Sequence, residues 1–129
     1  MDKFERFFAA KTFAVAGASN QTYKYGNKVF KALLLADRET FPLNPGQCIV
    51  EGHQAYASLA EIPVTPESLS IVTPPAVTRR VVTEAINVGV KQIWMQPGAE
   101  DKTASDAARK SGIDVIDDGS CILVLLPRY

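Results

Sequence analysis

Histidine occurs once in these 129 residues, cysteine twice, and the formal net charge is zero. Each shortage excludes a class of function. Cys48 and Cys121 lack C-x-x-C spacing and are too few for a disulfide framework, which points to a reducing, cytoplasmic setting. With His53 alone there is no H-x-x-x-H metal pair, and neither a Ser-His-Asp set nor a G-K-[ST] phosphate loop is present. No catalytic group and no metal site is therefore expected. Fourteen basic residues balance fourteen acidic ones, so nothing global steers the chain toward nucleic acid or an anionic membrane. No apolar run approaches membrane-spanning length, and Met-Asp-Lys-Phe-Glu-Arg at the start carries acids instead of a signal-peptide core. The length suits one domain, residues 1–129, with a single core.

What the chain does have is a glycine loop between a β-run and a helical pattern. Phe13 to Ala16 is apolar and drops into Gly17-Ala18-Ser19, and helical periodicity opens near Tyr25. A parallel strand that turns at glycine into a helix aims free N–H groups, and the positive end of the helix dipole, at the space above the sheet. That place suits a phosphate. The next glycine is Gly26, so the dinucleotide fingerprint G-x-G-x-x-G is absent.

Apolar runs of strand length then alternate with helical patterns. A leading helix is expected over 2–10, strands over 12–16 and 39–43, and a helix over 25–36 with Val29/Leu33 and Phe30/Leu34 on its apolar face. Residues 48–50 read as a short strand extension and 58–61 as a single turn. A third strand over 69–73 stops at Pro74-Pro75. The helix over 76–88 that follows turns Val77, Val81, Ala85 and Val82/Ile86 to the sheet, with Gly89 as its C-cap. Strand four spans 91–96, an alanine-rich helix 101–111, and strand five 113–116. Cys121 to Leu126 reads either as an extra edge strand or as a buried turn. The alternation implies an α/β fold: a single Rossmann-like, doubly wound domain with a mostly parallel five-stranded sheet and helices on both faces.

Ligands of open α/β sheets bind outside the carboxyl ends of the strands. Those ends are Gly17-Ala18-Ser19, Asn44-Pro45-Gly46, Thr73-Pro74-Pro75 and Gln96-Pro97-Gly98, and none offers a carboxylate. A NAD domain ends its second strand in Asp or Glu to hold the ribose hydroxyls, whereas this chain has Leu43-Asn44-Pro45. The prolines make a rigid apolar ledge suited to a flat base or a thin pantetheine arm.

These residues match a known pattern. The chain resembles the small stand-alone CoA-binding proteins, which are similar to the CoA-binding domain of the succinyl-CoA synthetase alpha subunit. Four segments carry the likeness: Val15–Ser19 with Lys24-Tyr25-Gly26, Phe41–Pro45, Ser70–Pro75, and Gly89 with Ile93–Gly98. The resemblance implies that the loop after strand one holds CoA phosphates and the loop after strand two meets the nucleotide. The ends of strands three and four would line the rest of the path. Carried over, the candidate contacts are Gly17, Ala18, Ser19, Lys24, Tyr25, Gly26, Asn44, Pro45, Thr73, Pro74, Pro75, Gln96, Pro97 and Gly98. Gln47 joins them, standing where the synthetase subunit has a lysine. Gly119-Ser120 stands where the small proteins often carry Asp-Arg.

The same residues have plainer readings. Gly17 serves a tight turn, Lys24 and Lys28 are surface lysines, Trp94 packs the sheet or seals the site, and Cys121 is a small buried hydrophobe. The expected function is binding of CoA or an acyl-CoA as a carrier, sensor or accessory subunit, with no nucleic-acid or membrane partner and an undefined protein partner. A small NAD(P)-binding oxidoreductase-like protein and an interaction module with a vestigial nucleotide pocket are the alternatives.

Overall fold

Alternation along strand β1 (Thr12–Ala16) sets the architecture: Phe13 and Val15 enter one apolar cluster, Ala14 and Ala16 another. A strand buried on both sides requires cover on both faces of its sheet, which is how parallel sheets are built. The computed structural model describes residues 1–129 and bears this out. Strands β2 (Glu39–Leu43), β5 (Ser68–Ile71), β6 (Gln92–Met95) and β7 (Asp114–Ile116) join β1 in one parallel sheet of order β2-β1-β5-β6-β7. Thr12–Ala16 runs residue for residue beside Glu39–Leu43, and Phe13–Ala16 beside Ser68–Ile71. The order of winding reverses between β1 and β5, and the gap above that reversal is where open α/β sheets take ligands.

Helices α1 (Lys3–Phe8), α2 (Tyr25–Leu35) and α5 (Ile122–Leu125) supply Phe7, Phe8, Val29, Phe30, Leu33 and Ile122 to one face. Helices α3 (Pro75–Val88) and α4 (Lys102–Lys110) supply Val82, Ala85, Ala104 and Ala108 to the other. Their ends follow local chemistry. Asp2 and Glu5 form a capping box on α1, with Glu5 N–H donating to Asp2 Oδ1 at 2.8 Å and Asp2 N–H to Glu5 Oε1 at 3.2 Å. Asp101 caps α4 by accepting from Ala104 N–H at 2.9 Å, and Gly89 ends α3 at φ +89°. Trp94 is buried under α1, its ring 5.4, 5.1 and 5.5 Å from those of Phe4, Phe7 and Phe8. Its indole N–H donates to Ser120 C=O at 2.9 Å. It seals the α1 side of the sheet. No helix is long and apolar enough to cross a membrane.

Three elements differ from the sequence expectation. The run Cys121 to Leu126 is no edge strand: it forms α5 and a 3₁₀ turn, Leu126–Arg128. Ile122 and Leu126 are buried while Val124 is 65% exposed, a spacing of four that suits a helix and not a strand. Ile49–Val50 (β3) does not extend the sheet; it pairs antiparallel with His53–Gln54 (β4) around Glu51-Gly52, at φ 48° and 80°. On α3, Thr78, Val82 and Ala85 face the sheet, whereas Val77 and Val81 are only half-buried.

Candidate functional site

Above the β1/β5 reversal lies a cavity of about 780 Å³, within the range of small-molecule sites. Its floor is Ala16, Gly17, Leu43 and Val72 at the strand ends. One wall is the loop into α2, with Ser19 and Tyr23 to Gly26. The opposite wall is one face of α3, with Val77, Arg80, Val81 and Glu84, and the turn at 57–59 closes the end.

The loop is built on two close backbone approaches. Gly17 has φ +92°, and a Cβ there would stand 2.2 Å from the Val72 carbonyl oxygen. A Cβ on Gly26 would stand 1.9 Å from the Gly17 carbonyl oxygen. The first turn of α2 therefore lies directly on the turn after β1, which only glycine at both positions permits. Amides brace the same loop from the side. Asn44 Nδ2 donates to Ala18 C=O at 2.9 Å, and Asn27 Nδ2 to Ser19 C=O at 2.8 Å and Glu51 Oε2 at 2.6 Å. Asn20 Nδ2 donates to Ile49 C=O at 2.8 Å and to Gln47 Oε1, and Asn20 Oδ1 accepts from Glu51 N–H at 2.8 Å. The β3–β4 hairpin, missed in the sequence as a separate element, holds the loop in place.

Cations stand on both walls of the cavity, Lys24 on the loop and Arg80 on α3. Neither α2 nor α3 has a capping side chain or an acidic residue in its first turn. The N–H groups of Tyr25, Gly26 and Ala76 donate to nothing in the chain. Lys24 and Arg80 form no ion pair. Free helix-start amides and two unpaired cations are groups suited to an anion, and the apolar floor and α3 wall suit a flat or slender organic group.

Nine sequence-proposed residues line this one cavity: Gly17, Ser19, Lys24, Tyr25, Gly26, Asn44, Pro45, Thr73 and Pro74. Six stand outside its wall. Ala18 is fully buried against the α2-side core. Pro75 is the first residue of α3 and is absent from the cavity lining. Gln47 lines an adjoining groove with Asn44, Pro45 and Cys48, and its side chain is held by Asn20. Gln96 is 2% exposed and structural: Nε2 donates to Cys121 Sγ at 3.2 Å and Oε1 accepts Ile122 N–H at 2.8 Å. Pro97 and Gly98 follow β6, which β5 separates from β1, so they lie off the cavity. Tyr23, Arg80 and Glu84 line it without having been singled out in the sequence. Val77, Arg80, Val81 and Glu84 share the i, i+3, i+4, i+7 spacing of one helix face, which is the signal that identifies the α3 wall.

The comparisons with known proteins agree with this geometry. A family model described as a CoA binding domain matches residues 11–127. The alpha subunit of an ADP-forming acetate–CoA ligase II from Pyrococcus furiosus is 31% identical over 105 residues, covering 81% of this chain and 23% of that protein. An ADP-forming acetate–CoA ligase I from Archaeoglobus fulgidus is 26% identical, over 87% of this chain and 18% of its own length. The chain thus spans less than a quarter of these curated relatives. Among solved structures, a conserved hypothetical protein from Pyrococcus furiosus is similar at TM-score 0.82 and 37% identity, covering 88% of this chain and 97% of that one. A hypothetical protein from Pyrococcus horikoshii superposes at TM-score 0.93 with 29% identity, over 98% and 89% of the two chains. With a glycine-built loop at the sheet's winding reversal and a family match across nearly its whole length, the chain belongs to the CoA binding domain family.

Proposed function

We propose that the protein binds CoA or an acyl-CoA in the cavity above β1, β2 and β5, and serves as a carrier, sensor or accessory subunit without chemistry of its own. The observation that carries this reading is the convergence of free amides and unpaired cations on an otherwise apolar cavity. CoA combines three phosphates with an adenine ring and a slender pantetheine arm. The phosphates match Lys24, Arg80 and the starts of α2 and α3. The ring and arm match the floor and the α3 wall. An Asn44 in place of an acid after β2 argues against NAD, because the ribose hydroxyls lose their usual acceptor. Asn44 is already committed to Ala18 C=O and, through Oδ1, to Gly46 N–H at 2.8 Å. One relative is a ligase subunit, which supports the reading of an accessory subunit that presents CoA to a protein partner. Calorimetric titration and thermal shift with CoA, NAD, NADP and ATP test the proposal. CoA at a hundredfold excess over its Kd should stabilise the fold by about 2.7 kcal/mol. A larger shift with NAD than with CoA refutes it.

A further inference from the structure

One acid stands among the cavity's cations, and its place has a chemical meaning that the glycine loop alone does not supply. Glu84 is the one acid on its wall. It lies nine residues along α3 from Pro75, about 14 Å at 1.5 Å per residue, at the end closed by Ser58 and Leu59. Its side chain is half-buried, and Oε1 accepts the Leu59 N–H. Oε2 has no partner in the chain. The surface around it carries Leu59, Val77 and Val81, with Arg80 one turn nearer the start of α3. A fixed carboxylate with one free oxygen in such a slot repels phosphate and accepts from a neutral donor. The phosphates of a bound nucleotide are thereby drawn toward Lys24 and Arg80 and kept off Glu84.

Resting on the CoA reading above, we infer that Glu84 reads the base: its free Oε2 accepts a hydrogen bond from the exocyclic amine of adenine, and Leu59, Val77 and Val81 enclose the ring. The chemistry discriminates as follows. Adenine presents an N–H donor at that edge. A purine whose amine carries no hydrogen leaves the carboxylate unpaired in a half-buried slot, which costs most of the bond.

The test uses the intact chain with CoA and with 1,N6-etheno-CoA, whose bridged amine has no hydrogen left. Calorimetry on the wild type should show CoA bound about tenfold or more tightly than the etheno analogue, as expected for a bond to a charged acceptor. In Glu84→Ala the ratio should fall to about one to threefold by loss of that same bond. Glu84→Gln keeps an acceptor for Leu59 N–H, so it serves where the alanine variant unfolds, and its ratio should fall as well. A ratio unchanged in the soluble variants, or equal affinity for both ligands in the wild type, overturns the assignment of Glu84 while leaving CoA binding intact. A wild type that binds neither ligand overturns the CoA reading itself.

Discussion

Replacing Gly17 by alanine isolates the energetic cost of the glycine loop, because Gly89, at a similar φ, provides a control. Both glycines hold nearly the same positive φ, +92° and +89°. A Cβ at Gly89 meets nothing within 4 Å, whereas one at Gly17 stands 2.2 Å from the Val72 carbonyl oxygen and 3.3 Å from Thr73 Cγ2. The left-handed conformation costs a non-glycine residue about 1–2 kcal/mol. Alanine also narrows the unfolded ensemble, returning about 0.4–1 kcal/mol. Gly89→Ala should therefore lose about 1 kcal/mol. Gly17→Ala bears the same backbone terms plus an overpacking cost of about 1–3 kcal/mol, for a total of about 2–4 kcal/mol. The clash is with backbone on β5's exit, which no rotamer change relieves. Urea denaturation with a shared m-value measures both losses. Equal destabilisation by the two substitutions would refute the claim that the Val72 carbonyl, and not backbone strain, fixes glycine at position 17. If the loop does hold phosphate, Gly17→Ala should also weaken CoA binding, while Gly89→Ala, on the opposite end of α3, should leave it unchanged.

Other consequences are open to direct measurement. Lys24→Ala should weaken CoA binding by about 1–3 kcal/mol, with the loss shrinking in high salt, whereas Lys28→Ala, whose ammonium lies 5.3 Å over the Tyr25 ring, should do less; equal small effects make Lys24 an ordinary surface lysine. Gln96→Leu should destabilise the fold by about 1–3 kcal/mol, because it strands the Ile122 N–H in the interior, and an unchanged urea midpoint would remove Gln96 from the core's hydrogen-bond network. The Lys3 ammonium first, and then the Ser120 side chain and amide, hold the Asp118 pKa down to about 2, below the ordinary carboxylate value of about 3.9. The stability it contributes is complete above that ordinary value and disappears as pH falls toward 2. Asp118→Asn should flatten that part of the acid-stability curve, by a small amount for so exposed a pair, and an unaltered curve rejects the contact. Incubated with labelled ATP, succinate and CoA, the chain should accumulate neither thioester nor base-stable phosphoprotein, since His53 packs edge-on against Phe30 outside the cavity lining; His53-dependent label would mark an enzyme.

How far the sequence led depended on whether local chemistry decided the outcome. Strands β1 and β2 fall where their apolar runs and flanking turns put them, because Gly17 and Asn44-Pro45 stop both elements unambiguously. The glycine loop was legible for the same reason, and nine of the proposed contacts converge. The α3 wall was not. Helical periodicity marks an apolar stripe, but which sector meets the sheet and which faces a gap depends on how the helix is rolled. Val77 and Val81 sit on that boundary. The hairpin escaped notice because its turn is Glu51-Gly52, without the asparagine or aspartate that signals such turns. Gln96, Pro97 and Gly98 lie off the cavity because strand ends look alike in sequence, whereas only those of β1, β2 and β5 border it.

The burial of Trp94 under α1 decides what light can report on this molecule. It is the chain's single tryptophan, boxed by Phe4, Phe7 and Phe8 and absent from the cavity lining. Its emission is thus a one-site record of whether α1 and the Ser120 segment are docked, blue-shifted while they are and red-shifted when water enters. A ligand filling the cavity above β1, β2 and β5 does not touch the Trp94 ring, which faces α1, so little change in that emission is expected on binding. Intrinsic fluorescence therefore serves as a clean unfolding signal for every variant described above and as a poor binding signal, so a titration that reads no quenching says nothing against a bound ligand.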